Sequence, residues 1–431
     1  MKLVIFEPEK FYNFYPIAYL RPTFELRCGH SLLYEKIIRS HPGLPVFFFC
    51  RDCLAETFAE RAPEGASVND PTGLDDDLLV VNGCILAGDW NLKRDRGEEV
   101  GMSPEGDLLY ARINKATASS LPKGNINTFL AAATEKLPPK TDESLTLIRY
   151  QWELIRHNPG TIVSDFKLAG KSGVEGILHS TATVFGSLEN LYIAPEAEVH
   201  PQVVIDTKGG PVTIERGAIV FPHSRVKGPC YIGPESQITR GNIHEGCSFG
   251  PVVRVGGEVE ESILHGYSNK YHDGFLGHAY VGEWVNLGAL TTNSDLKNDY
   301  STVEMYMQDA GGKWSYIDTG NTKVGSFIGD HTKTSIGTFL NTGSHVGVMT
   351  LLMGTGKVLP KFIPSFCWFL EGAITAGFGF NKLVETAEVA TARRNRALTE
   401  ADRRLLKHVH ELTRPERSKA IKKDRKKLLR G

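Results

Sequence analysis

The chain has 431 residues, 41% apolar and 23% charged, with 49 Lys and Arg against 50 Asp and Glu, so it can build a core and is not disordered by composition. Its 44 glycines lack the every-third-residue spacing of collagen and point to many tight turns. No run approaches the roughly 18 apolar residues of a membrane span, and the opening strand-like run meets Glu7 and Pro8 too soon for a secretory signal, so the expected location is the cytoplasm.

The first part of the chain reads as α/β. Lys2–Phe6, Val46–Cys50 and Leu78–Val81 are apolar runs of strand length, separated by helical patterns at Ser31–Arg39 and Leu54–Arg61. Alternation of this kind predicts a mainly parallel sheet covered on both faces. Gly124–Leu137 and Ser144–Asn158 read as two further helices, with Pro159-Gly160 marking a turn into a linker near residues 165–175. The seven cysteines are scattered, neither a disulfide framework nor a four-ligand zinc pattern. Cys50-Arg51-Asp52-Cys53 has no second ligand pair and reads as two small residues at the end of a buried strand.

Beyond the linker an internal repeat appears. Ile193, Val199 and Ile205 fall six apart, and Ile214, Val220, Val226, Ile232 and Ile238 continue at the same step. That spacing fits neither helix nor hairpin. It fits a β-helix, in which each short strand sends one aliphatic side chain to the axis and small or polar residues turn the corners. Gly256–Gly277 and Thr291–Lys323 break the period, are polar, and are therefore expected as binding excursions from the coils. An array of this kind leaves open ends, so capping or self-association should complete it.

The chain ends in a basic segment. From Thr391 onward there are 15 Lys/Arg against 5 Asp/Glu, with Leu405, Leu406, Val409 and Leu412 spaced as one helix face and Thr399-Glu400-Ala401-Asp402 as its cap. Lys422–Lys427 reads as a solvated basic helix end, and a nucleic-acid partner is disfavoured.

The string Gly266-Tyr267-Ser268-Asn269-Lys270-Tyr271-His272-Asp273-Gly274-Phe275-Leu276-Gly277, followed by Glu283-Trp284-Val285-Asn286-Leu287-Gly288-Ala289, carries a family resemblance. It is similar to the acetyltransferase half of the bifunctional N-acetylglucosamine-1-phosphate uridylyltransferase/glucosamine-1-phosphate acetyltransferases, and more similar to a variant branch whose members are often described only as sugar nucleotidyltransferases. The resemblance implies a left-handed parallel β-helix of hexapeptide repeats that forms a homotrimer and binds acetyl-CoA between coils. It makes His272 the catalytic base, a role that suits an imidazole near neutral pH. By their charge Lys270 and Arg254 suit the phosphate of a sugar phosphate, and the resemblance implies Asn286 near the sugar, to position it or its amine, and Ala289 and, two residues out of step, Thr338 as coenzyme contacts. A Tyr of the better-known branch is Phe275 here, and its Asn-Tyr-Asp-Gly string is Thr292-Asn293-Ser294-Asp295, which leaves the acceptor sugar open.

The N-terminal part resembles a Rossmann-like nucleotidyltransferase, for which a Gly-rich loop cradles nucleotide phosphates. Here Glu7-Pro8-Glu9-Lys10-Phe11-Tyr12 stands where the glycines would be. Arg21, Pro22, Glu25, Arg27, Gly29 and the Val81-Asn82-Gly83 string fit the variant branch, which implies Arg21, Arg27, Gly29 and Asn82 as nucleotide contacts. Arg21 and Arg27 are read equally as structural ion pairs. Mg²⁺ is expected for nucleotidyl transfer, and Asp75-Asp76-Asp77 and Asp165 are the acidic residues on offer, with the metal ligands left unassigned.

The expectation is therefore an α/β nucleotidyltransferase-like domain (1–170), a β-helix acyltransferase-like domain (171–378) and a basic helical tail (379–431). The expected reaction is uridylyl or another nucleotidyl transfer from an NTP to a sugar 1-phosphate, acetyl transfer from acetyl-CoA to a hexosamine 1-phosphate, or both. The alternative is a trimeric, non-catalytic scaffold that binds sugar nucleotides or nucleic acid.

Overall fold

The computed structural model describes residues 1–88, 90–91, 97–354 and 356–428. The chain folds as two compact units: residues 1–12, 20–26 and 31–150 form the first, and residues 13–19, 27–30 and 151–431 the second.

The first unit is built on a seven-stranded sheet in the order Pro139–Thr141, Glu99–Met102, Leu108–Ile113, Leu78–Asn82, Lys2–Phe6, Val46–Phe49, Ser67–Val68. The last four run parallel, and Leu108–Ile113 is antiparallel to its neighbours. Lys2–Phe6 and Leu78–Asn82 are apolar along almost their whole length because both faces are buried. Helices α1 (Leu33–Ser40), α2 (Asp52–Ala59), α3 (Lys115–Ser120) and α4 (Ile126–Lys136) complete the unit. From the central strand Lys2–Phe6 the chain moves out to one side and then returns to pair on the other. Such a reversal opens a crevice beyond the carboxyl ends of the strands. Cys50 and Cys53 are free thiols; Cys50 follows the strand Val46–Phe49, whereas Cys53, expected at the strand end, lies in the first turn of α2, and burial pushes both up in pKa, away from thiolate reactivity.

The second unit opens with α5 (Gln151–Ala169), which corrects two expectations: the helix starts later than Ser144 and runs straight through Pro159. Tertiary bonds outweigh the missing proline N–H. Asn158 accepts from Gly29 N at 2.6 Å and from Ser248 Oγ at 3.1 Å, and donates to Gly246 O at 2.8 Å, which pins the helix at that turn.

The six-residue repeat is a parallel β-helix. One wall stacks ten parallel strands from Gly173–Val174 to Phe362–Ile363. Three columns of side chains fill the axis. Ile193, Ile214, Ile232, Phe249, Leu264 and Val281 lie in register. So do Val199, Val220, Ile238 and Val255, and Ile205, Val226, Ile243, Val259 and Leu276. All are at most 1% exposed, and burial of each such side chain contributes about 1.5–3 kcal/mol.

Gly256–Gly277 is not an excursion: its strands Ile263–Gly266, Asn269–Lys270 and Phe275–Gly277 pair within the coils. Thr291–Lys323 does leave the tube, as the antiparallel hairpin Glu304–Gln308 with Trp314–Asp318. The tail forms α6 (Phe380–Ala392), α7 (Glu400–Leu412) and α8 (Arg414–Leu428). Thr399 and Asp402 close the expected capping box on α7. The basic end differs from a wholly solvated helix. Asp424 accepts from Ile374 N at 2.9 Å, Ala420 and Ile421 pack on the β-helix core, and α8 thereby caps one end of the tube. Among the described residues no helix is long and apolar enough to cross a membrane.

Candidate functional site

On one wall of the β-helix, strand alternation sends one residue to the axis and the next outward. The outward column is Gln237, Arg254, Asn269 and Asn286, in register on successive coils. These four line a cavity of about 500 Å³ with Tyr271, His272, Leu287, Gly288, Ala289, Ile336 and Arg394. His272, Arg254, Asn286 and Ala289 are thus brought together as expected.

The His272 imidazole is exposed and meets the Tyr271 ring edge-on at 5.5 Å. Arg254 donates from Nη1 to Glu235 O at 2.8 Å, and burial together with the neighbouring Arg394 guanidinium pulls its pKa below the usual value. Arg394 donates to Asn269 Oδ1 at 3.2 Å, while its Nε is buried with no hydrogen-bond partner among the described residues. Two guanidiniums face the cavity, a setting for an anion such as a phosphate. Arg394 was missed in the sequence because the basic tail read as a solvated face. Its signal was the Arg393-Arg394-Asn395-Arg396 run, whose Arg396 also reaches Tyr267 Oη at 3.3 Å.

Two expected ligands stand elsewhere. Lys270, next to outward-facing Asn269, takes the axial place above Val255 and is 1% exposed. Its Nζ donates to Gly256 O at 2.9 Å and His272 O at 2.5 Å, and burial pulls its pKa down to about 8. It holds the backbone of His272 instead of facing the cavity. Thr338 is fully buried, with its hydroxyl donating to Ser335 O at 2.9 Å; Ile336, two residues earlier, takes the cavity position. Asn293 in the altered string uses its amide on Gly277 N and O.

In the first unit, the crevice beyond Phe6 holds the side chain of Glu7. Its Oε1 accepts from Thr23 N at 2.9 Å and Arg51 Nη2 at 3.0 Å, and its Oε2 from Arg51 N at 3.1 Å and Nε at 3.0 Å. An internal carboxylate therefore takes up the Thr23 and Arg51 backbone N–H groups and the Arg51 guanidinium. Arg21 is buried in this unit, with its carbonyl accepting from Arg51 at 3.0 Å. Asn82 builds a turn, donating to Leu108 O and accepting from Cys84 N.

Arg27 and Gly29 belong to the second unit. Arg27 donates to His30 O at 2.7 Å and His265 O at 3.3 Å. Gly29 sits at φ +73°, where a Cβ would strike Thr161 and Asp165, so its glycine is explained by close approach to α5. The acidic residues do not fit a Mg²⁺ site. Asp75 pairs with Lys2, Asp76 with the N-terminal amine, Asp77 accepts from Lys115 N, and Asp165 accepts from His30 N.

One chain thus carries a parallel β-helix, with an imidazole and two guanidiniums lining one cavity, and a mostly parallel α/β unit. Residues 3–172 match the sugar nucleotidyl transferase family model. The chain is 28% identical over 200 residues to the bifunctional protein GlmU of Nitratidesulfovibrio vulgaris, covering 41% of this chain and 38% of that protein. It is 32% identical over 90 residues to the bifunctional sugar-1-phosphate nucleotidylyltransferase/acetyltransferase of Sulfurisphaera tokodaii, covering 21% of each. A solved UDP-N-acetylglucosamine acyltransferase overlaps 56% of this chain and 90% of its own at 14% identity, with a TM-score of 0.20. The aligned part thus spans well under half the length of these curated relatives, and the resemblance read from the motifs is borne out.

Proposed function

We propose that the β-helix cavity transfers an acetyl group from acetyl-CoA to the amine of an amino-sugar phosphate. The observation that carries this reading is the convergence of His272, Arg254, Arg394 and Asn286 on one cavity. The two guanidiniums hold the phosphate of the acceptor or the coenzyme, and Asn286 orients the sugar. The acceptor nitrogen attacks the thioester carbonyl, its proton passes to His272, and the C–S bond breaks to release CoA, whose sulfur takes up a proton. The reading includes a homotrimer in the cytoplasm, as the resemblance implies. Thiol release measured with acetyl-CoA and a panel of hexosamine 1-phosphates tests it; the absence of CoA release with every acceptor defeats it.

A second reading, sugar-1-phosphate nucleotidyl transfer from UTP or another NTP, is favoured by the family match over residues 3–172. The Glu7 carboxylate in the crevice and the paired acidic residues weigh against it, since both remove groups that would hold a nucleotide phosphate or its Mg²⁺. Pyrophosphate release from labelled NTPs separates the two readings.

A further inference from the structure

The coils also stack side chains at a corner far from any role given to them above. Glu261, His278 and Asp295 recur at a step of seventeen, each on the next coil. His278 Nδ1 donates to Asp295 Oδ2 at 2.8 Å, and His278 Nε2 lies 3.5 Å from Glu261 Oε2. Glu260 adjoins Glu261, and one donor atom from each of Glu260, Glu261 and His278 falls within 4.8 Å of the others. The His278 side chain is 9% exposed. Beside it opens a cavity of about 210 Å³ lined by Glu261, His278, Arg156 and Lys323, with Trp152 as one wall.

We propose that Glu260, Glu261 and His278 bind a divalent cation of the zinc type, with Asp295 as the positioning residue. Two carboxylates and one imidazole form a three-ligand O,O,N set suited to zinc, and the adjoining cavity supplies the open fourth position. Donors around one zinc stand about 3.4 Å apart, from bond lengths near 2.1 Å, so the three need to close by roughly an ångström. The second observation lies outside the ligand set. Asp295 Oδ2 lies 2.8 Å from His278 Nδ1, which leaves Nε2 as the ring nitrogen that faces Glu261 at 3.5 Å, the outer carboxylate arrangement that metal-binding histidines use. A cation already stands at this place: Lys323 Nζ pairs with Glu260 Oε1 at 3.0 Å, and, being half-exposed, it can swing away.

The test is zinc binding to the chelator-treated full chain, by equilibrium dialysis and by zinc-edge anomalous diffraction. The expected result is an anomalous peak between the three donors at micromolar free Zn²⁺. Glu261→Gln, on the cavity side, should lose that peak with the fold intact. Asp295→Asn should weaken binding about 10–100-fold, and Lys323→Met, which removes the competing charge, should bind at least as tightly as the parent. No peak at this corner, or one that persists in Glu261→Gln and in His278→Gln, overturns the assignment.

Discussion

The Lys270 ammonium, inside the tube, donates to the carbonyl of His272 at 2.5 Å, so a buried charge braces the residue whose imidazole lines the cavity. The brace costs solvation: burial pulls the ammonium down to about 8. Its folded pKa thus lies below its unfolded value near 10.4. Between about pH 8 and 10.4 the unfolded chain holds a proton there that the folded chain has released, so stability contributed by this site rises with pH across that window. Urea unfolding of the parent and Lys270→Met at pH 7.5 and 9.5 should show the parent gaining on the variant at the higher pH, by ~2 kcal/mol. A difference independent of pH contradicts the assignment.

Arg394 brings the tail into the cavity. Charge-assisted hydrogen bonds of this kind contribute about 1.5–3 kcal/mol, so Arg394→Gln and Arg254→Gln should each raise KM for the anionic substrate about tenfold to a hundredfold, with kcat changed far less. Steady-state kinetics on each variant, with acceptor and acetyl-CoA varied in turn, would show which phosphate each arginine holds. Unchanged KM values for both substrates would remove the guanidiniums from recognition.

Glu7 and Arg51 form an ion pair whose side chains are 2% and 13% exposed. Removing one partner strands the other charge, at a cost of about 3–5 kcal/mol. Glu7→Ala should lower the unfolding free energy by that order at neutral pH, read from denaturant titration followed by the first unit's tryptophan and tyrosine signals. A change below about 0.5 kcal/mol would mean that the carboxylate is solvated and the crevice open.

Much of this architecture was legible because β-branched residues at a fixed step have few other folds to enter: every one of the eight repeat positions from Ile193 to Ile238 reaches the axis. The phase is lost where Gly241 introduces a register shift, after which Val259 follows Val255 closely and Lys270 occupies an axial place. A lysine in a hydrophobic column reads as a break in the repeat, and so Gly256–Gly277 looked like a loop. Pro159 misled for a related reason, since the local rule against proline in a helix is overridden by the bonds of Asn158 to distant coils. The cavity's polar column was half visible, as Arg254 and Asn286, but the approach of Arg394 depends on the path of α6 and has no periodic signature.

The most direct measurement of the central claim is the rate of CoA release by His272→Ala against the parent, at saturating acetyl-CoA and acceptor. The imidazole is exposed and makes no axial contact, so the variant should keep its circular dichroism and melting temperature. The account predicts a fall in kcat of about 10²–10⁴ with KM for acetyl-CoA little altered. A folded variant that transfers acetyl at the parental rate would contradict it.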